Sequence, residues 1–393
     1  MITVFTPVYN RAYIIEKLYH SLRRQTSCDF EWLIVDDGSG DNVAELINAW
    51  IQDKTVPFEI RYYYQENGGK HRAINKGVQL ARGEAFFIVD SDDYLRDDAI
   101  EQISAWWPQI ANDKSFAGVS GLKCYESGEP TGGELPVEEY IDATVLERSK
   151  YGITGDKAEV YKTELLRRYP FPEYEGERFI SENVVWYAIG GDGYKIRWYN
   201  KAIYVCEYLE DGLTRNLFEL KRINPQGWAA VLRVLKRYSQ GNEAQFMMDA
   251  YSFYETERNV LTRERLSELL ENDVELLGRL EEAYIYNLAQ IKRHFVDRGC
   301  REVVIYAYGT YGKRFKTYLD ALNIKVKYVL DRNYDKIKGI EAYAVGMEPP
   351  IGETPIIIAV KFGERKIYND IITNYPGQRI LTLRDLGLRY WFS

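Results

Sequence analysis

The chain has 393 residues, 46% of them hydrophobic, 28% charged and 14% aromatic, which is enough for two to three domains of ~150 residues and too much for a small single-core module. Fifty-one Lys and Arg against 59 Asp and Glu give a net charge of −8, the wrong sign for holding nucleic acid through a general electrostatic field. The four cysteines, Cys28, Cys124, Cys206 and Cys300, lie far apart, and with only three histidines they suggest neither a disulfide framework nor a zinc cluster.

From residue 1 to about 125, short apolar runs alternate with helical spacing. Ile2 to Phe5, Trp32 to Val35, Ile60 to Tyr64, Ala85 to Val89 and Ala117 to Leu122 read as strands. Tyr13 to Gln25, Val43 to Ile51, His71 to Ala81 and Ala99 to Trp107 read as the helices between them. Strand–helix alternation with continuous apolar strands predicts an α/β fold, a mostly parallel sheet flanked by helices, with ligands beyond the carboxyl ends of the strands. Residues 126–223 are less regular, rich in Gly, Pro, Glu and Tyr, and read as a continuation that completes a first domain over 1–223 and builds a second wall of a cleft beside residues 1–125. Residues 224–299 read as a helical connecting segment. On it Trp228, Val231, Leu232 and Leu235 form a stripe opposite Arg233, Lys236 and Arg237, which suits either packing or an interfacial helix. Residues 300–393 read as a small Rossmann-like α/β unit. Gly309 and Gly312 follow its first strand and Asp331 ends its second, where a nucleotide site would stand, although bulky Phe315 replaces the third glycine of the usual fingerprint.

The first strands end in polar residues on what should be one edge of one sheet: Thr6-Pro7-Val8-Tyr9-Asn10-Arg11, Asp36-Asp37-Gly38-Ser39, and Asp90-Ser91-Asp92-Asp93. Taken alone, an Asp-Asp-Gly-Ser run is a turn followed by a helix cap. Three such clusters along one edge predict a site. The carboxylates of Asp90, Asp92 and Asp93 repel one another after the apolar Phe86-Phe87-Ile88-Val89, and a divalent cation would relieve them. Hard oxygen ligands without His or Cys favour Mg²⁺ or Mn²⁺, whose shells are completed by water and substrate phosphates, so a nucleoside diphosphate is implied.

The ordered set TPVYNR (6–11), LIVDDGSGD (33–41) and QENGGKHRAINKGVQLARGEAFFIVDSDDYL (65–95) resembles the inverting family 2 glycosyltransferases of GT-A fold, over roughly residues 1–215. The resemblance implies transfer of a sugar from a nucleotide-diphospho-sugar, with a UDP-sugar the leading donor, to an acceptor hydroxyl with inversion. Position by position it puts Thr6 and Asp37 against the donor base, with Pro7, Tyr9, Asn10 and Arg11 beside them. Asp90, Ser91 and Asp92 fall on the ribose and phosphates, and Asp93 with Asp92 on the metal. Lys70, His71, Arg72 and Asn75 stand in the stretch that lines the donor site, where Lys70 or Arg72 would neutralise the diphosphate. GITGDKAEVYKTELL (152–166), FPEYEGERFISENVVW (171–186) and Gly212-Leu213-Thr214 resemble a bacterial polysaccharide-assembly subgroup. Inversion requires a base across the cleft from the metal. Asp156, Glu175, Glu177 and Glu182 are the candidates, and Glu182, at a helix start among apolar neighbours, has the best context.

The expected partners are a nucleotide-sugar and a saccharide or lipid-linked saccharide acceptor. No apolar run reaches the ~18 residues of a spanning helix and no basic-then-apolar leader opens the chain, so the expected location is cytoplasmic, at the inner face of the membrane if the interfacial helix is real. Two rival readings stand beside this one. A nucleotidyltransferase would carry a Gly-rich basic loop after the first strand, which TPVYNR lacks, and a noncatalytic nucleotide-binding or scaffold protein would not need every acidic residue of the set.

Overall fold

The computed structural model describes residues 1–207, 217–238, 243–360 and 363–391, and it divides into two compact units, Met1–Gln240 and Gly241–Ser393. No helix among the described residues is long and apolar enough to cross a membrane.

In the first unit β1 (Ile2–Val8) is buried at every residue, as a central strand covered on both faces must be. It is flanked in parallel by β2 (Phe30–Asp36) and, on its other side, β4 (Ala85–Ile88), while β3 (Glu59–Tyr64) extends the parallel set beyond β2. Three further strands, β5 (Tyr94–Leu95), β6 (Phe116–Cys124) and β7 (Tyr140–Ala143), and the later β8 (Lys157–Lys162) and β9 (Lys195–Val205), complete a nine-stranded sheet among the described residues. Its order is β3-β2-β1-β4-β8-β6-β9-β5, with β7 on β9. The sheet is parallel through its first four strands. Only β8 then runs against both its neighbours, so β6 and β9 point the same way as β1, β2 and β4. That arithmetic decides where the site lies. The carboxyl ends of six strands, β1 to β4, β6 and β9, and the amino end of β8 share one edge.

Alternate residues of the strands feed two cores. One joins Val4, Trp32 and Phe87 to Leu18 and Leu22 of α1 (Glu16–Arg23), Val43 and Ile47 of α2 (Val43–Gln52), and, past α3 (Lys70–Leu80), Ile100 and Ile103 of α4 (Ala99–Trp106). The opposite face joins Phe5, Leu33 and Phe86 to Ala73 and Ile74 of α3, Leu165 of α5 (Thr163–Arg168) and Val184 and Val185 of α6 (Asn183–Gly191). Burying each such aliphatic or aromatic side chain contributes roughly 1.5–3 kcal/mol. After α7 (Leu217–Arg222) comes α8 (Pro225–Tyr238), whose Trp228, Val231 and Leu232 are 5%, 7% and 2% exposed, with Val231 in the core beside α6. The apolar stripe therefore packs inside the first unit. It is not available to a membrane surface, and the amphipathic pattern alone could not make that choice.

The second unit holds the helices α9 (Glu243–Glu257), α10 (Arg263–Leu269) and α11 (Val274–His294) and a sheet of five parallel strands. These strands are β10 (Glu302–Tyr306), β11 (Lys325–Leu330), β12 (Ala342–Tyr343), β13 (Ile356–Ile358) and β14 (Ile380–Thr382), in the order β12-β11-β10-β13-β14, with α12 (Thr310–Ala321) after β10 and α13 (Glu364–Asn374) after β13. This is the doubly wound order. The helices pack on it through a buried network: Glu255 of α9 pairs with Arg314 of α12 at 2.5 Å, and Asn287 of α11 donates to the Tyr251 hydroxyl at 2.8 Å. The division of the chain thus falls at Gln240. It leaves α8 with the first sheet and α9 to α11 with the second, where the sequence reading had one connecting segment over 224–299.

Candidate functional site

A cavity of ≈ 390 Å³ opens at the shared strand edge. Pro7, Tyr9 and Arg11 after β1, Asp37 after β2, Lys70 at the start of α3, and Asp90, Ser91, Asp92 and Asp93 after β4 all line it, and Asp156, just before β8, faces it from the other half. The topology brings in residues that the sequence did not single out for the site: Lys123 near the end of β6, Cys206 and Glu207 after β9, Asn67, and Arg178 and Phe179.

Other expected residues serve the walls. Thr6 is fully buried, and its hydroxyl accepts the indole N–H of Trp32 at 3.0 Å, so it lies beneath the site. Asn10, at φ +53°, accepts the amide of Gly40 on its side-chain oxygen at 2.8 Å and gives its own amide to Ser39 at 2.9 Å, which fastens two loops together. The Asp37 carboxylate accepts four hydrogen bonds, from Gln65 (2.7 Å), Asn67 (3.2 Å) and the amides of Gly68 (2.9 Å) and Gly69 (2.7 Å). Its oxygens are filled by the loop that precedes α3, so Asp37 shapes the cavity wall. Arg72 donates to the carbonyls of Gly68 (2.6 Å), Glu177 (2.8 Å) and Tyr174 (2.7 Å) and pairs with Glu173, while Asn75 donates to Phe171 and Glu173. Arg72 is thus a clamp between α3 and the 173–178 segment. His71 is buried without a hydrogen-bond partner, and burial, followed by the nearby Arg72 charge, holds its imidazole down at about 4.

Among the acceptor-side acids, Glu177 is buried and takes the amides of Gln226 and Gly227 at 2.8 Å each, so it caps α8. Glu175 is exposed. Glu182 stands at the N-cap of α6 and pairs with Lys70 at 2.8 Å, while the same ammonium lies 2.6 Å from Asp90. In the 155–157 loop, Gly155 at φ +69° presses against the Thr131 carbonyl, and the buried Lys157 ammonium reaches the carbonyls of Thr131 and Thr154; burial pushes that ammonium down to about 8. Gly212-Leu213-Thr214 lie outside the described residues.

The electrostatics of the edge are those of crowded carboxylates. Burial, then the charge of Asp90, raises both Asp92 and Asp93, the latter to about 7. Asp90 goes the other way: burial would raise it, but Lys70 and Lys123 outweigh that and hold it down. Lys123 is kept charged, against its burial, by Asp90 and Asp93, and its ammonium sits 4.2 Å from the ring centre of Tyr204. The Tyr204 hydroxyl donates to Asp93 at 2.6 Å and the amide of Glu207 donates to its other oxygen at 3.0 Å. Two raised carboxyls beside open cavity fit a cation shared with an incoming ligand. Among the described residues no three ligating side chains converge into a ready-made cage, so phosphate and water would have to supply the rest of the shell.

In the second unit a cavity of ≈ 260 Å³ is lined by Tyr306, Ala307, Asp331, Arg332, Asn333 and Ile367. The Asp331 oxygens accept the amides of Tyr308 (2.8 Å) and Asn333 (2.9 Å), and Gly312 is needed because a Cβ there would come 2.5 Å from the Ala307 carbonyl. Gly309, at the N-cap of α12, has open space around it.

Residues 3–126 match the profile described as glycosyl transferase family 2. The chain is 29% identical over 238 residues to glycosyltransferase GlyG of Streptococcus pneumoniae serotype 4, covering 56% of this chain and 75% of that one. It is 39% identical over 128 residues to an uncharacterized glycosyltransferase of Rickettsia felis, covering 33% of this chain but 20% of the other. Among solved structures it is similar to S. aureus TarS 1-349 in complex with UDP-GlcNAc, at 19% identity and a TM-score of 0.45, over 72% of this chain and 91% of that one.

Proposed function

Because this chain belongs to glycosyl transferase family 2 and is a glycosyltransferase, we propose that it moves a sugar from a UDP-sugar to an acceptor hydroxyl with inversion, in the assembly of a bacterial surface polysaccharide or its lipid-linked precursor. The observation that carries this reading is the charge order of the cavity: raised carboxyls of Asp92 and Asp93 on one wall, the half-buried Lys70 and Lys123 beside them, Asp156 on the side of β8, and behind Lys70 the paired carboxylate of Glu182 at the start of α6.

Asp93 and Asp92 are the residues that would hold Mn²⁺ or Mg²⁺, which when bound stabilises charge on a departing diphosphate. Arg11 and Lys123, on the same cavity wall, attract the anionic donor. Pro7, Val8 and Tyr9 offer the base an apolar face at the end of β1, and Asn67 stands opposite on the loop that Asp37 holds. Glu182 accepts the proton of the acceptor hydroxyl, and Asp156 lines the acceptor side of the cavity. In this reading the protein works in the cytoplasm, and the second unit has an accessory role.

Incubation with a panel of UDP-sugars and Mn²⁺, with release of UDP as the readout, tests the proposal. Metal-dependent release supports it. A protein that binds UDP, raising its melting temperature, yet releases none from any donor would be a noncatalytic binder.

A further inference from the structure

Lys70 joins the two halves of the cleft through two ion pairs, and the contacts of its neighbours hold both ends in place. It is the first residue of α3, after Gly69, whose φ of +99° and lack of a Cβ allow the backbone to lie against the Arg178 carbonyl; a Cβ would come within 1.9 Å of that oxygen. Two residues on, the Arg72 guanidinium ties the same helix turn to the carbonyls of Tyr174 and Glu177. The start of α3 is therefore tied to the 174–178 segment, four residues before Glu182. Across the cleft, Asp90 is held by its amide, which donates to the Tyr204 hydroxyl at 3.1 Å. The ammonium between these two anchored groups lies 2.6 Å from Asp90 and 2.8 Å from Glu182. With Arg72 committed to carbonyls, Lys70 is the cation that the 65–75 stretch presents to the cavity.

We propose that Lys70 is the positioning residue of the acceptor-side carboxylate, its ammonium holding Glu182 in register with the donor half through Asp90. This rests on the assignment of Glu182 as base given above. A carboxylate on the first turn of α6 has several rotamers open to it, with its side chain about a third exposed. A fixed ammonium with three donors selects the one that faces the donor half. The rival role, a direct ligand of the diphosphate, would place the effect of Lys70 in donor binding.

The experiment compares Lys70→Met, Lys70→Arg, Glu182→Gln and the double variant Lys70→Met/Glu182→Gln, with UDP release from UDP-sugars, water serving as acceptor, and the melting-temperature rise given by UDP with Mn²⁺. The expected result is that Lys70→Met lowers kcat by about 10- to 100-fold, as loss of an oriented general base does, while the donor KM and the UDP-induced rise stay near those of the parent. Lys70→Arg, which keeps the charge and the fold, recovers part of kcat. The double variant is no slower than Glu182→Gln by more than about 2-fold, because the two act as one unit. The proposal is overturned if Lys70→Met raises KM and abolishes the UDP-induced rise with kcat intact, or if the two losses multiply. Unchanged turnover in Glu182→Gln would instead refute the base assignment itself, and a loss confined to Lys70→Met would then refute the positioning role as well.

Discussion

Tyr204 and Asp93 meet through a hydrogen bond of 2.6 Å between the phenol and the carboxylate, behind the cavity wall that Asp93 lines. The same phenol oxygen accepts the Asp90 amide, so one side chain from β9 sets the spacing of the acidic motif that follows β4. Burial, and then the neighbouring Asp93 charge, keeps the phenol protonated.

Tyr204→Phe removes that donor from a buried carboxylate and leaves the Asp90 amide without its partner. The expected loss of stability is about 2 kcal/mol, the scale of a hydrogen bond to a charged group. Urea unfolding measures it, and a loss below about 0.5 kcal/mol would show that the phenol does not organise the motif.

Asp93→Asn keeps the size of the side chain and removes the charge that a divalent ion needs. UDP release should fall and its stimulation by Mn²⁺ should vanish, whereas Asp37→Asn should lower stability through the 65–69 loop. A Mn²⁺ titration of each variant separates the two, and an Asp93→Asn protein with the parent's Mn²⁺ response refutes the ligand assignment.

Glu182→Gln should retain the melting-temperature rise given by UDP with Mn²⁺ and lose turnover by about 100-fold. Asp156→Asn is the comparison, since Asp156 lines the cavity directly. Normal turnover in Glu182→Gln with loss in Asp156→Asn transfers the role to Asp156.

His71 supplies a pH test away from the carboxylates. Its folded value of about 4 lies below the ordinary imidazole value of 6.5, so between those values the unfolded chain binds more protons and stability falls as pH falls. The full effect below pH 4 approaches about 3 kcal/mol, at 1.36 kcal/mol per unit. His71→Phe should flatten the pH 4 to 6.5 limb of the melting curve series relative to the parent. An unchanged slope would mean that the imidazole is charged in the fold.

The parallel half of the first unit was legible because β1, β2 and β4 are continuous apolar runs with caps and turns at their ends, and local pattern suffices for such elements. The strands beyond Cys124 were not. β8 reads KAEVYK and β9 reads KIRWYNKAIYV, and their polar residues are tolerated only because partners far away in sequence, such as β4 for β8 and β6 for β9, complete the ladder. Lys123 was missed for the same reason: no local spacing marks a lysine at the end of β6 as a neighbour of Asp90 and Asp93 until β8 is known to run backwards. Thr6, Asp37 and Arg72 sit where motif order placed them in the chain, but the direction of a side chain and the saturation of its hydrogen bonds are three-dimensional facts.

The capping of α8 by Glu177 decides what can be inherited or exchanged as a module. A chain cut at residue 223 would strand a buried carboxylate without the amides of Gln226 and Gly227 and would uncover the core that Trp228 and Val231 close. Recombination that keeps the first unit whole has to break after residue 240, so that α8 travels with the sheet whose edge carries the cavity.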